Sequence, residues 1–160
     1  MIWLGIDPGL AIIGWAVLEG DDMISPRLID YGITETDKKY STGHRLREIE
    51  EDFTELFKEF KPQRVAIEMP FFSRQIKAAG GVLQALGVIH LICYREAEID
   101  PIFLHQSSWK AHLVHGKATK EEVAQALQGI FELDALPIDD SVDAIAIAYA
   151  AYCGLQNQIK

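Results

Sequence analysis

Cysteine is scarce in this chain: two in 160 residues, Cys93 and Cys153, each among apolar neighbours. Two such thiols exclude a disulfide framework and zinc-ligand spacing, and they fit reduced, buried cysteines of a cytoplasmic protein. Long apolar runs are missing too. No window approaches the roughly 18 uncharged apolar residues of a membrane span, so no membrane partner is expected. The greasy start MIWLGIDPGLAIIGWAVLEG has no basic lead and carries Asp7, so it reads as strands and a signal peptide is not expected. Repeats, low-complexity segments and domain linkers are also lacking. With 49% hydrophobic residues the chain can build a real core, and one domain over residues 1–160 is expected.

Positive charge is in deficit. Lys and Arg number 15 against 24 Asp and Glu, for a net −9, which by itself argues against a nucleic-acid partner. The distribution qualifies that argument. Residues 1–60 hold 6 basic and 13 acidic side chains, residues 61–120 hold 8 and 4, and residues 121–160 hold 1 and 7. The middle third is therefore cationic, and it also contains four of the five histidines. An acidic average does not forbid a cationic face.

Apolar runs at Ile2–Asp7 and Ile12–Glu19, split by Pro8-Gly9, read as strand, turn, strand, and Leu28–Ile33 offers a third. Short connections predict an antiparallel meander. From about Ser41 to Phe60 the period becomes helical, with Leu46, Ile49, Phe53, Leu56, Phe57 and Phe60 on one side, until Lys61-Pro62 ends it. Val65–Glu68 is a brief strand, Ser73–Glu98 a long helix and Ile102–Leu104 a further strand. Ser107 or Ser108 is placed to cap a short helix reaching Val114. Thr119-Lys120-Glu121-Glu122 is a capping box that opens a helix to Phe131, and Asp139 or Asp140 caps a last helix to about Tyr152. Strands first, then alternating helices and strands, predict an α/β domain with one mixed sheet and helices on both faces.

Asp7 and Glu68 each end an apolar strand. If those strands are parallel neighbours, both carboxylates emerge at the C-terminal edge, where open α/β sheets place their sites. Asp140 and Asp143, three apart, share one face of the last helix. The small apolar run Ala144-Ile145-Ala146-Ile147-Ala148 lets that helix lie close on the sheet and bring its acids over the other two. Taken singly, each acid has a plainer reading: Asp7 as a turn former, Glu68 as a strand terminator, Asp140 as a cap. A group of four carboxylates needs counter-charge, and an all-oxygen set selects Mg²⁺ or Mn²⁺ over zinc. Two such ions about 3.5–4 Å apart suit in-line phosphodiester cleavage. The stretch from Trp109 to Lys120 gathers Lys110, Lys117 and Lys120 with His112 and His115 and no acid, as a phosphate clamp does, although a solvated loop has the same composition.

Gly5-Ile6-Asp7-Pro8-Gly9, Ala66-Ile67-Glu68 followed by Phe71, and Asp140-Ser141-Val142-Asp143-Ala144 together resemble the RuvC-type Holliday junction resolvases. The order and spacing of these motifs agree along nearly the whole chain. The resemblance implies a ribonuclease H-like fold with a mixed five-stranded sheet, and a homodimer that nicks a four-way DNA junction symmetrically during recombination and repair. By motif position Asp7, Glu68, Asp140 and Asp143 match the four acids that hold two Mg²⁺ ions, with Mn²⁺ as a substitute. Phe71 matches an aromatic that stacks on an unpaired base, although the apolar run Pro70-Phe71-Phe72 suits a dimer contact equally well. Lys110 and Lys120 match two lysines that hold the scissile phosphate. The intervening loop is one residue shorter than the family pattern, which leaves Lys117 as a rival to Lys120. Arg74 and Lys77 stand where they could contact backbone phosphates. A branch-migration helicase complex is an implied partner. The net charge and the lack of a basic tail depart from the family, and they bear on junction affinity more than on nuclease chemistry. The alternatives are a YqgF-like nuclease acting on RNA and a junction-binding protein with weak catalysis.

Overall fold

In a computed structural model the structure describes residues 1–21, 25–70 and 76–158, with the side chains of 76–79 outside the description. Phe71, Phe72 and Arg74 lie outside the described residues, and so does the Lys77 side chain. Strands β1 (Ile2–Asp7), β2 (Ile12–Glu19) and β3 (Arg27–Glu35) form the antiparallel meander. Helix α1 (Thr42–Phe60) leads to β4 (Arg64–Glu68), and α2 (Ile76–Ala97) leads to β5 (Ile102–Leu104). Helices α3 (Gln106–Leu113), α4 (Lys120–Phe131) and α5 (Asp140–Tyr152) complete the chain. The sheet order is β3-β2-β1-β4-β5, with β1, β4 and β5 mutually parallel.

Period-two alternation distributes the strand side chains between two cores. Leu4, Ile6, Val65 and Ile67 face one side and are buried with Ile49, Phe53 and Phe57 of α1 and Ile89 and Ile92 of α2. The opposite face carries Trp3, Ala16, Ala66 and Leu104 and is covered by α5, with Trp109 of α3 and Val123 and Leu127 of α4. Small residues let α5 approach the sheet closely. A Cβ at Gly5 would lie 2.2 Å from the Ala144 carbonyl oxygen, and one at Gly14 would lie 2.0 Å from that of Asp140. Ten of the thirteen α5 residues are buried, so this helix is apolar all round because it is enclosed.

Local signals set most helix ends. Ser41 accepts from the His44 backbone, the Thr119–Glu122 capping box forms, and Asp139 accepts from the Ser141 backbone. Helix α3 corrects its expectation. Its N-cap is His105, with no side-chain cap, and Ser107 and Ser108 lie inside the helix. The C-terminal segment ties down the chain just before the helix: the Phe103 N–H donates to Asn157 Oδ1 (3.0 Å) and the His105 N–H to Gln158 Oε1 (2.6 Å). The Gln158 N–H in turn donates to the Phe103 carbonyl (2.9 Å), so the tail also covers β5.

Candidate active site

Alternation that buries Leu4 and Ile6 on one face places Gly5 and Asp7 on the other. By the same rule Ala66 and Glu68 of β4 share that face. Ile6 pairs with Ile67 in the parallel register, so Asp7 and Glu68 leave the sheet side by side. The first turn of α5 comes down on this corner, with Asp140 and the buried Asp143 three apart on it. Oxygen atoms of Asp7, Asp140 and Asp143 all lie within 4.8 Å of one another. Glu68 is outside that trio but close enough to act on its charge, and its Oε2 accepts a hydrogen bond from Trp109 Nε1 at 2.8 Å.

Lys120, at the start of α4, reaches into the trio. Its Nζ lies 2.8 Å from Asp140 Oδ1 and 3.2 Å from Asp143 Oδ2. Of the two rival lysines it is Lys120 that meets the acids, while Lys117 stays exposed on the loop. Lys110 Nζ lies 5.5 Å from the centroid of the Trp109 ring, and its charge acts on both Glu68 and Asp143. His115 pairs with Glu122 (3.5 Å) and His112 meets the Tyr149 ring edge-on, so both histidines have neighbours outside the acid cluster.

The electrostatics follow from crowding carboxylates in a partly dry corner. Burial, reinforced by Glu68, Asp143 and Asp140, pushes the Asp7 carboxyl up to about 8, against a lowering pull from Lys120. Burial raises Glu68 to about 6, opposed by the Trp109 hydrogen bond. Asp143 is raised by burial and relieved by Lys120. Burial works against the Lys120 charge, but the Asp140 hydrogen bond and the Asp143 charge outweigh it and raise its pKa.

The donor set fits a hard divalent cation. It is all carboxylate oxygen, and Asp143 Oδ1 is buried with no hydrogen-bond partner. A buried anionic oxygen without a donor calls for a cation. Two contributors escaped the sequence reading. Gly14 is the register partner of Asp7 and the floor on which Asp140 rests. A glycine inside a strand is the signal that could have marked it. Trp109, whose indole binds Glu68 across 41 positions, carries no local signal.

Known proteins align with this arrangement. The family pattern of crossover junction endodeoxyribonuclease RuvC matches residues 3–151. A crossover junction endodeoxyribonuclease RuvC of Synechocystis sp. is 66% identical, over 98% of this chain and 94% of that one. That of Gloeobacter violaceus is 37% identical over 93% and 86%. Among solved structures, T. thermophilus RuvC in complex with Holliday junction substrate superposes with a TM-score of 0.83 at 29% identity, covering 95% of this chain and 93% of that one. The yeast mitochondrial Holliday junction resolvase Ydc2 shares the fold at 13% identity, with a TM-score of 0.67 over 94% and 78% of the two chains. The sheet is thus the ribonuclease H-like one that the motifs implied. In sequence over nearly its whole length, as in fold, the chain belongs to the RuvC family of crossover junction endodeoxyribonucleases.

Proposed function

We propose that this chain is a metal-dependent endonuclease that resolves four-way DNA junctions by paired nicks during recombination and repair. The observation that carries the reading is the convergence of Asp7, Asp140 and Asp143 within 4.8 Å at the sheet edge, beside Glu68 and Lys120. These four acids would hold Mg²⁺, two ions per site, with Mn²⁺ as a substitute. A cation held by these acids would supply Lewis-acid polarisation of the scissile phosphate and a water activated for attack. The protein's own part is electrostatic and positional. Lys120 balances Asp140 and Asp143, and Lys110 adds positive charge beside Glu68, so phosphate oxygens meet cations at the rim of an acidic floor. Phe71 is read as the aromatic that stacks on an unpaired base, with Arg74, Lys77 and Lys117 on backbone phosphates.

Cutting two strands symmetrically calls for two copies. Helix α2 turns an unusual face to solvent: Leu83, Leu91 and Tyr94 are exposed, the last two at 62% and 59%. Between Leu83 and Leu91 on this face, a Cβ added at Gly87 would meet nothing within 4 Å. We read this smooth apolar stripe as the homodimer contact. No helix among the described residues is long and apolar enough to cross a membrane. A single domain over residues 1–160, a cytoplasmic setting and a branch-migration helicase partner complete the reading.

The test is a gel assay of a synthetic four-way junction, a linear duplex and an RNA–DNA hybrid, each with Mg²⁺ or EDTA. Paired, metal-dependent nicks confined to the junction are expected. Cleavage of the hybrid alone would favour an RNA-directed nuclease on the same acids, and binding without cutting would demote the protein to a junction binder.

A further inference from the structure

Trp109 is the largest fully buried side chain among the described residues. Apolar packing accounts for its rings, which sit in the same core as Val142, Ile145 and Ala148 of α5. It does not account for the indole N–H, which must find an acceptor when buried. The acceptor is a carboxylate oxygen of the site, Glu68 Oε2, at 2.8 Å. A donor to an ionised acceptor makes a stronger and more directional bond than a neutral pair does. Gln106, three residues earlier on the same face of α3, lies near enough to Glu68 to favour its charged form. Helix α3 is in turn held at its start by the C-terminal segment, through Gln158 on the His105 backbone.

The consequence is geometric. A Glu side chain at a strand end has free rotation about its terminal bonds, and only some orientations aim an oxygen at the Asp7 corner. A donor mounted on a wholly enclosed ring commits Oε2 and so fixes the plane of the carboxylate, which limits where Oε1 can point. The face of the same ring lies under Lys110 Nζ, at 5.5 Å from its centroid. One rigid side chain therefore sets an acid by its edge and a cation by its face.

We infer that Trp109 is a positioning residue for metal binding, its indole N–H holding Glu68 in the ligating orientation. This rests on the reading in which Glu68 is a metal-binding acid. Residues that orient a ligand in this way typically change metal affinity or activity by about 10–100-fold when lost.

The test replaces Trp109 by benzothienylalanine, which keeps the bicyclic shape and puts sulfur where the N–H was. Mn²⁺ binding to the DNA-free protein is measured by calorimetry, and junction cleavage is followed across Mg²⁺ concentrations. Expected are an Mn²⁺ Kd raised by about tenfold or more, a junction KM within twofold of native, and activity largely restored by excess Mg²⁺. A role in packing alone would leave the Mn²⁺ Kd and the Mg²⁺ requirement unchanged. An Mn²⁺ Kd and an Mg²⁺ requirement both within twofold of native would overturn the inference. The unsubstituted protein gives a second measurement. Of its three indole N–H resonances, that of Trp109, assigned by its loss in Trp109→Phe, should shift on adding Mg²⁺ while those of Trp3 and Trp15 stay; a stationary Trp109 signal also counts as refutation. Glu68→Gln separates the two layers. If that variant binds Mn²⁺ and cuts like native, the metal-site reading itself is wrong; if it is crippled while the benzothienylalanine protein is normal, only the role of Trp109 falls.

Discussion

Gly14 lies directly beneath Asp140, so close that a Cβ on the glycine would stand 2.0 Å from the Asp140 carbonyl oxygen. Since Gly14 is also the register partner of Asp7, one backbone position sets the distance between the first strand's acid and the last helix's acids. Gly14→Ala should therefore push the start of α5 off the sheet. Overpacking of this kind costs about 1–3 kcal/mol, and cleavage should fall well beyond what the stability loss explains. Gly129→Ala is the control. That glycine is exposed inside α4 with nothing near a new Cβ, and the change should stabilise by about 0.5–1 kcal/mol with cleavage unchanged. Thermal melts and a junction assay check both.

Asp7 couples the site to pH. Its carboxyl titrates near 3.8 when unperturbed and at about 8 in the folded, metal-free protein, through burial and its neighbouring acids. Between those values the folded state holds a proton that the unfolded state has released. Stability of the metal-free protein should thus fall as pH rises from about 4 to about 8. Asp7→Asn should flatten that fall in melts run at pH 5 and pH 8, while reducing cleavage to background and leaving junction binding largely intact. Full cleavage by this variant would remove Asp7 from the metal site.

Because Asp7 must lose that proton to ligate a cation, metal binding should release protons and tighten with pH. Calorimetry of Mn²⁺ binding at pH 6.5 and 8, in buffers of unlike ionisation enthalpy, measures both. A pH-independent Kd without proton release would mean that the ion binds elsewhere.

Lys120 already neutralises Asp140 and Asp143. Lys120→Met should free those acids and tighten Mn²⁺ binding severalfold, yet lower cleavage by on the order of 10²-fold through loss of a positive charge at the phosphate. Lys117→Ala should act differently. Metal affinity should hold, and junction binding should weaken with a salt slope smaller by about one.

The α2 stripe makes its own claim. Leu91→Glu puts a charge on the most exposed apolar residue of that face and should yield monomers in sedimentation at micromolar concentration. Paired nicks should become single ones. A variant that stays dimeric would move the interface elsewhere.

Much of this was legible in the sequence because the signals were local. Strands β1 and β2 match the apolar runs at Ile2–Asp7 and Ile12–Glu19, and α4 runs from its capping box to Phe131. The corner of acids could be anticipated since alternation and parallel pairing alone put Asp7 beside Glu68. What escaped was long-range. Ser107 looks like a cap, but the His105 backbone takes its partner from Gln158, 53 positions away, and the helix starts earlier. The bond from Trp109 to Glu68 belongs to tertiary packing, which no periodicity encodes. Lys120 could be separated from Lys117 only once α4 had been placed against α5.

Helix α5, the last helix among the described residues, carries two of the four acids and covers the Gly5–Ala66 face of the sheet. Proteins emerge from the ribosome at about 5–20 residues per second, N-terminal parts first. Asp7 and Glu68 therefore exist for several seconds before Asp140 and Asp143 join them. Until those thirteen residues of helix dock, this face of the sheet lacks its main cover, so the event that completes the cluster of acids also buries the apolar surface beneath them.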